Sequence, residues 1–229
     1  MLKKIYDDMW DESYQKIMAG QYQTDPLIND PSDTRRGVTA LAYLQNNNRE
    51  VSLNINRFLS QLQNIEPKQY YYPENELHLT ILSIISCISG LKLSELNTAL
   101  YLEIFNQCMT KVKPIEIQFK GVTASPSCIL IQGFPVGDGL IDLRHELRQK
   151  YKASAVHTSI DSRYALSTAH LTVVRFCSAL KNKQSMMHLL AQYKNYDFGQ
   201  VCFNEFELVF NNWYQNLSAT KGLGRHNVR

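Results

Sequence analysis

Apolar positions along the chain switch repeatedly between a period of two and a period near 3.6, which predicts interleaved strands and helices. Ile5, Met9, Tyr14 and Ile17 recur at roughly helical spacing, and the turn-rich TDPLINDPSDTRRG follows, so residues 1–35 read as an appended helix and linker. Residues 38–44, VTALAYL, have the length and content of a strand. Asn47 or Asn48 is then placed to cap a helix with the buried stripe Val51, Ile55, Phe58, Leu59 and Leu62.

Beyond that helix, residues 76–84, ELHLTILSI, read as a buried strand carrying His78 and Thr80. Ser94 is expected to cap a helix with Leu100, Ile104, Phe105, Cys108 and Val112 inward, stopped by Pro114. IEIQF at 115–119 and CILIQGF at 128–134 suggest a hairpin across the loop GVTASPS. Asp138 precedes a helix with Leu140, Leu143, Leu147 and Tyr151, and AHLTVVRF at 169–176 brings a second His-Leu-Thr strand. A helix around Met186, Met187, Leu190 and Ala191 and a strand at 206–210 follow, and the polar tail is expected to be a loop. The two halves show a related order of elements, as an internal duplication would.

Composition adds exclusions. With 229 residues, 44% hydrophobic and 20% charged, the chain has enough apolar surface for a core without staples. A net charge of +3 is too small to mark a binder of long duplexes. Cys87, Cys108, Cys128, Cys177 and Cys202 are widely spaced and read as reduced core residues. No metal-binding spacing, secretory leader or membrane-length run appears, so the expectations are no metal, no cofactor, no membrane and a cytoplasmic location.

Side chains alternate across a strand, so His78, Thr80 and Leu82 share one face and Leu77, Leu79 and Ile81 the other. The same count groups His170, Thr172 and Val174 against Leu171 and Val173. If the two strands face a common cleft, two imidazoles and two hydroxyls converge on one point, an arrangement suited to phosphate. One imidazole takes a proton from the attacking group while the other protonates the leaving oxygen, and the hydroxyls donate to the non-bridging oxygens.

The segments YYYPENELHLTILSI and AHLTVVRF resemble the two His-x-Thr/Ser motifs of the 2H phosphoesterase superfamily, over about residues 36–215. That resemblance implies a bilobal α+β fold in which two pseudo-symmetric antiparallel sheets line a central cleft with helices outside, spanning 36–229 as one domain. It implies metal-independent action on 2',3'-cyclic phosphate or 2'-5' phosphodiester bonds of nucleotides or RNA ends. Carried over by motif position, His78 and His170 are the catalytic pair and Thr80 and Thr172 the phosphate-contacting hydroxyls; which histidine is the base stays open. The chain is expected to act as a monomer. It departs from the simplest pattern in its first 35 residues and in one extra residue within ENELHLT before the histidine.

Blander readings stand beside these. A single strand histidine next to a threonine is ordinarily structural, and only the repetition argues otherwise. His157 in HTS is a decoy, because the charged IDSRY follows it; His145, His188 and His226 read as surface or helix-end residues. Arg175 is a candidate substrate-binding residue, although strict alternation from His170 puts it on the wrong face unless a bulge intervenes. Tyr72, like Tyr70 and Tyr71, could stack a base or simply pack. Arg35 and Arg36 read as solvated linker charges. The rivals are a non-catalytic nucleotide or RNA-end binding module of the same fold, and an unrelated α+β interaction protein.

Overall fold

The computed structural model describes residues 2–44, 49–162 and 165–228, so a cap by Asn47 or Asn48 lies outside the described residues. Helices are α1 (Leu2–Met18), α2 (Arg49–Ile65), α3 (Thr98–Met109), α4 (Gly139–Ala153) and α5 (Lys183–Gln192). Strands are β1 (Arg35–Tyr43), β2 (Tyr70–Tyr71), β3 (His78–Ser89), β4 (Ile115–Ser125), β5 (Cys128–Val136), β6 (Leu171–Arg175), β7 (Asp197–Phe203), β8 (Glu205–Asn212) and β9 (Lys221–Asn227).

The expected α+β architecture is present. Its two antiparallel halves, β7-β4-β5-β6 and β3-β1-β8-β9, join edge to edge between β6 and β3, and β2 adds to β6. At that junction a single residue pair is in register, Leu79 with Leu171. The helices are exchanged across it. Helix α2, which lies between β1 and β3 in sequence, packs on β7 in the other half, whereas α4, between β5 and β6, packs on β3. Each half thereby covers part of the other, which ties the halves into one core.

Several expectations are corrected. Helix α1 buries Tyr6, Trp10, Ser13 and Ile17, so its inward stripe is rotated from the expected Ile5, Met9, Tyr14 and Ile17, and Tyr14 is 44% exposed. Ser94 belongs to a short 3-10 turn, and Asn97 caps α3 by accepting from the Leu100 amide. Most of the expected hairpin loop is strand: β4 continues to Ser125, with an irregularity between Phe119 and Val122 where Gly121 has φ +83. A residue with a Cβ is strained in that conformation, which is why glycine stands there. The polar tail is not a loop, because residues 221–227 pair with β8 as an edge strand. Cys202 is exposed and Cys177 intermediate, so only three cysteines are core residues. Arg35 is not a free linker charge; it is bonded to Asp33, Asp25 and the Tyr214 hydroxyl.

No described helix is long and apolar enough to cross a membrane.

The rotated stripe of α1 has a direct consequence. Ile17 is fully buried, so Ile17→Ala should lower the unfolding free energy by about 2–5 kcal/mol, whereas Tyr14→Ala should change it by less than about 0.5 kcal/mol. Urea denaturation of the two variants measures the contrast.

Candidate active site

In an antiparallel pair, register fixes which side chains meet. With Leu79 opposite Leu171, the next positions outward set His78 against Thr172 and Thr80 against His170. The two triplets thus form one block around a local twofold axis. Leu79 and Leu171 are fully buried on the core side, and the other four side chains share the opposite face.

Each triplet is followed by a bulge at its next residue. The β1–β3 register skips Ile81, running from Ala40 with Leu82 to Leu41 with Thr80. The β5–β6 register skips Val173, running from Ile129 with Val174 to Leu130 with Thr172. An extra residue reverses the alternation beyond it. Arg175, two residues past the second bulge, accordingly comes to the side of the histidines, where its charge depresses the pKa of both rings.

Arg175 is held there by aromatic groups. Its Nε donates to the Tyr72 hydroxyl at 2.9 Å, and Tyr72 in turn donates to the Tyr214 carbonyl at 3.0 Å. The guanidinium lies over the rings of Trp213 and Tyr214 at 5.9 and 5.8 Å. Tyr72 is only 4% exposed, so its ring presents no free face for base stacking; it serves as the seat of Arg175 and an edge contact of His78. Tyr70 hydrogen-bonds the Glu76 carboxylate, and Tyr71 the Glu66 carbonyl.

The imidazoles are oriented differently. His78 Nδ1 lies 2.7 Å from the Glu76 carbonyl, which can only accept, so Nδ1 carries the proton and neutral His78 has its lone pair on Nε2. His170 Nδ1 is 2.8 Å from the Thr168 hydroxyl, where either atom can donate. Among the described residues no protein group bonds either Nε2 or the hydroxyls of Thr80 and Thr172. The cleft beside them is lined by Thr80, Ser83, Ser86, Asp161, His170 and Trp213, among others.

Burial pushes both rings down from the usual 6.5 to about 4. Arg175 reinforces the shift at His78, and Arg144, His78 and Arg175 reinforce it at His170.

Three further residues shape the site and were not singled out from sequence. Glu76, the extra residue of ENELHLT, is 8% exposed; its carboxylate accepts from the Leu217 amide at 2.9 Å and the Tyr70 hydroxyl at 3.0 Å. Arg144 of α4 donates from Nε to Ile81 O and from Nη2 to Thr80 O and Thr168 O, each at 2.9 Å. It sits on the same inward stripe as Leu143 and Leu147, a signal visible in the sequence. Tyr6 of α1 reaches the Ala169 amide at 3.1 Å. His157 is exposed in a loop, and His145 and His188 are exposed on helices. His226 lies on β9 opposite Phe206.

Two lobes thus meet on a local twofold axis, each contributing an imidazole and a hydroxyl to one face. No family model matches the chain, and no curated protein matches it in sequence. Solved structures do match in fold. TT0787 of Thermus thermophilus superposes at 16% identity with a TM-score of 0.57, and LigT of E. coli complexed with 3'-AMP at 14% and 0.56, each covering 85% of this chain and 98% of its own. A structure described as a phosphoesterase gives 14% and 0.55 with the same coverage. The chain therefore shares the α+β fold of these proteins, in keeping with the resemblance drawn from the two triplets.

The depressed histidines imply an acid-sensitive fold. Above pH 6.5 the rings are neutral whether folded or unfolded, and full stability is kept. As pH falls from 6.5 toward about 4, the unfolded chain takes up protons that the folded rings refuse. Stability should then drop by up to about 1.4 kcal/mol per pH unit for each ring. Urea unfolding at stepped pH should show a shallower slope in His170→Asn than in the parent.

Proposed function

We propose that the protein is a phosphoesterase that opens a 2',3'-cyclic phosphate or cleaves a 2'-5' phosphodiester of a nucleotide or RNA end, without a metal. The observation that carries this reading is the Leu79–Leu171 register, which sets two imidazoles and two hydroxyls on one face with Arg175 at their side. LigT, of the same fold, has been solved with 3'-AMP and with phosphate, which supports an anionic nucleotide as the ligand class.

The roles follow from chemistry. Thr80 and Thr172 donate to the non-bridging oxygens, and Arg175 offsets the charge that builds on them. His78 and His170 share the two proton transfers, one ring accepting from the attacking hydroxyl or water and the other donating to the departing oxygen. In the free protein both rings are held neutral. A phosphate anion between them opposes that shift by favouring a cationic neighbour, so substrate arrival itself helps create the acid.

The test is turnover of 2',3'-cyclic nucleotides and 2'-5'-linked dinucleotides by purified protein in EDTA. Activity is expected, with His78→Ala and His170→Ala each reducing kcat by about 10²–10⁴-fold. Nucleotide binding without product would reassign the chain as a binding module, and neither binding nor turnover would overturn the reading altogether. Arg175→Lys keeps the charge but loses the planar fork that engages Tyr72 and the two rings. It should lower kcat/KM by at least about tenfold, a loss read in the same assay.

A further inference from the structure

Strand β6 begins at Leu171, so the peptide groups just before His170 fall outside the ladder. Extending the β5–β6 register from Ile131 with Leu171 would pair Gly133 with Ala169. The Tyr6 hydroxyl stands between those two residues instead. It donates to Gly133 O at 3.1 Å, and accepts from Ala169 N at 3.1 Å and Gly133 N at 3.3 Å. The ring is fully buried and packs edge-on against Phe134 at 5.5 Å. The crossing is tight: a Cβ on Gly133 would stand 1.8 Å from Ala169 O, so no other residue fits there without moving the His170 lead-in.

The amide accepted by Tyr6 and the carbonyl accepting from Arg144 belong to the same peptide unit. Thr168 O takes Arg144 Nη2 at 2.9 Å, and Ala169 N–H gives to Tyr6. Both polar ends of this peptide are thus fixed by side chains from two different helices. On its N-terminal side the Thr168 hydroxyl contacts His170 Nδ1, and on its C-terminal side only Ala169 separates it from His170. A peptide plane held at both ends cannot rotate without breaking a buried hydrogen bond, and its rotation would disturb the backbone leading into His170 and the Thr168 hydroxyl that contacts the ring.

We propose that Tyr6 is a positioning residue for His170: the N-terminal helix, through this phenol and in concert with Arg144, locks the Thr168–Ala169 peptide and so makes α1 a working part of the active site. The inference rests on the functional reading above for its kinetic test and on backbone geometry for a second, independent one. It gives the N-terminal helix a task that amphipathic packing alone does not require, because the other hydrogen bonds of α1 go elsewhere. Ser13 Oγ donates to Ala124 O at 2.7 Å, and Thr123 Oγ1 donates to Tyr6 O at 3.2 Å.

Tyr6→Phe removes one oxygen and keeps the ring. In turnover of a 2',3'-cyclic nucleotide below the melting range, it should lower kcat by at least about tenfold while KM stays within about twofold. Ser13→Ala, which loosens α1 at a distance from the peptide, should lower the thermal midpoint but leave kcat unchanged. Equal kcat in Tyr6→Phe and the parent would overturn the proposal, as would an equal loss in Ser13→Ala. Amide hydrogen exchange supplies the readout that needs no activity. The Ala169 amide of the unaltered protein should exchange as slowly as the amides within β5, and should speed up selectively in Tyr6→Phe. If the unaltered protein turns over none of the substrates, the functional reading fails and exchange alone judges the lock. If Tyr6→Phe does not fold, protection of Ala169 in the unaltered chain decides. Exchange at the rate of exposed loop amides sinks the idea.

Discussion

The cleft depends on one short antiparallel meeting, Leu79 against Leu171. Because strand side chains alternate, this register sends both leucines into the core and all four polar groups of the triplets outward together. A slip by one residue would bury the imidazoles and put leucines in the cleft. The contact is only one registered pair long, since the bulges at Ile81 and Val173 turn both strands away immediately afterwards. Arg144 makes up the missing bonds by joining the carbonyls of Thr80, Ile81 and Thr168 with one rigid guanidinium. Burial of that cation is costly, as its pKa falling from 12.5 to about 10 indicates. An apolar side chain in its place would remove a donor from all three carbonyls, and each buried carbonyl left unpaired by that loss would cost about 1–3 kcal/mol.

The same arrangement sets the electrostatics. Both imidazoles are withdrawn from water, which favours the neutral rings; Arg175 adds to this at both and Arg144 at His170, while Glu76 opposes it at His78. No carboxylate hydrogen-bonds either ring among the described residues; Glu76 offers His78 its backbone carbonyl and directs its side chain to Leu217 and Tyr70. A carboxylate that does line the cleft, Asp161, is engaged by Arg148 and Lys152. Under the function proposed above, a bound phosphoryl group would favour protonation of a neighbouring ring.

How much of this was legible in the sequence divides along physical lines. Alternation of period two placed His78, Thr80, His170 and Thr172 on matching faces, because that periodicity is a local property of the strand. The bulges were not legible, since an unpaired extra residue is set by the partner strand and leaves no mark at Ile81 or Val173. That is why Arg175 looked misdirected. The edge strand β9 was read as a loop because an outermost strand needs little apolar content, and the GLGRHN stretch has little. In α1 the short window allowed two stripes, and only packing against β4 selects the one with Tyr6 and Trp10. Arg144 was visible between Leu143 and Leu147, yet an arginine on a core stripe reads as a helix-face irregularity until three carbonyls are seen to converge on it.

The near-symmetry of the halves makes their differences informative. Both triplets end in a bulge, but only the second is followed by an arginine that the bulge can bring into the cleft. The rings are anchored unlike one another as well. With a carbonyl on Nδ1, His78 meets a ligand either as an acceptor at Nε2 or as a cation; it cannot be a neutral Nε2 donor without giving up its 2.7 Å bond. With a hydroxyl on Nδ1, His170 can take either tautomer as Thr168 rotates its proton. The side with the freer tautomer is also the side whose backbone is held by Tyr6, while Arg144 holds both. Two similar strand ends thus differ in proton flexibility: the His170 ring has a choice of tautomer, whereas neutral His78 is fixed in one.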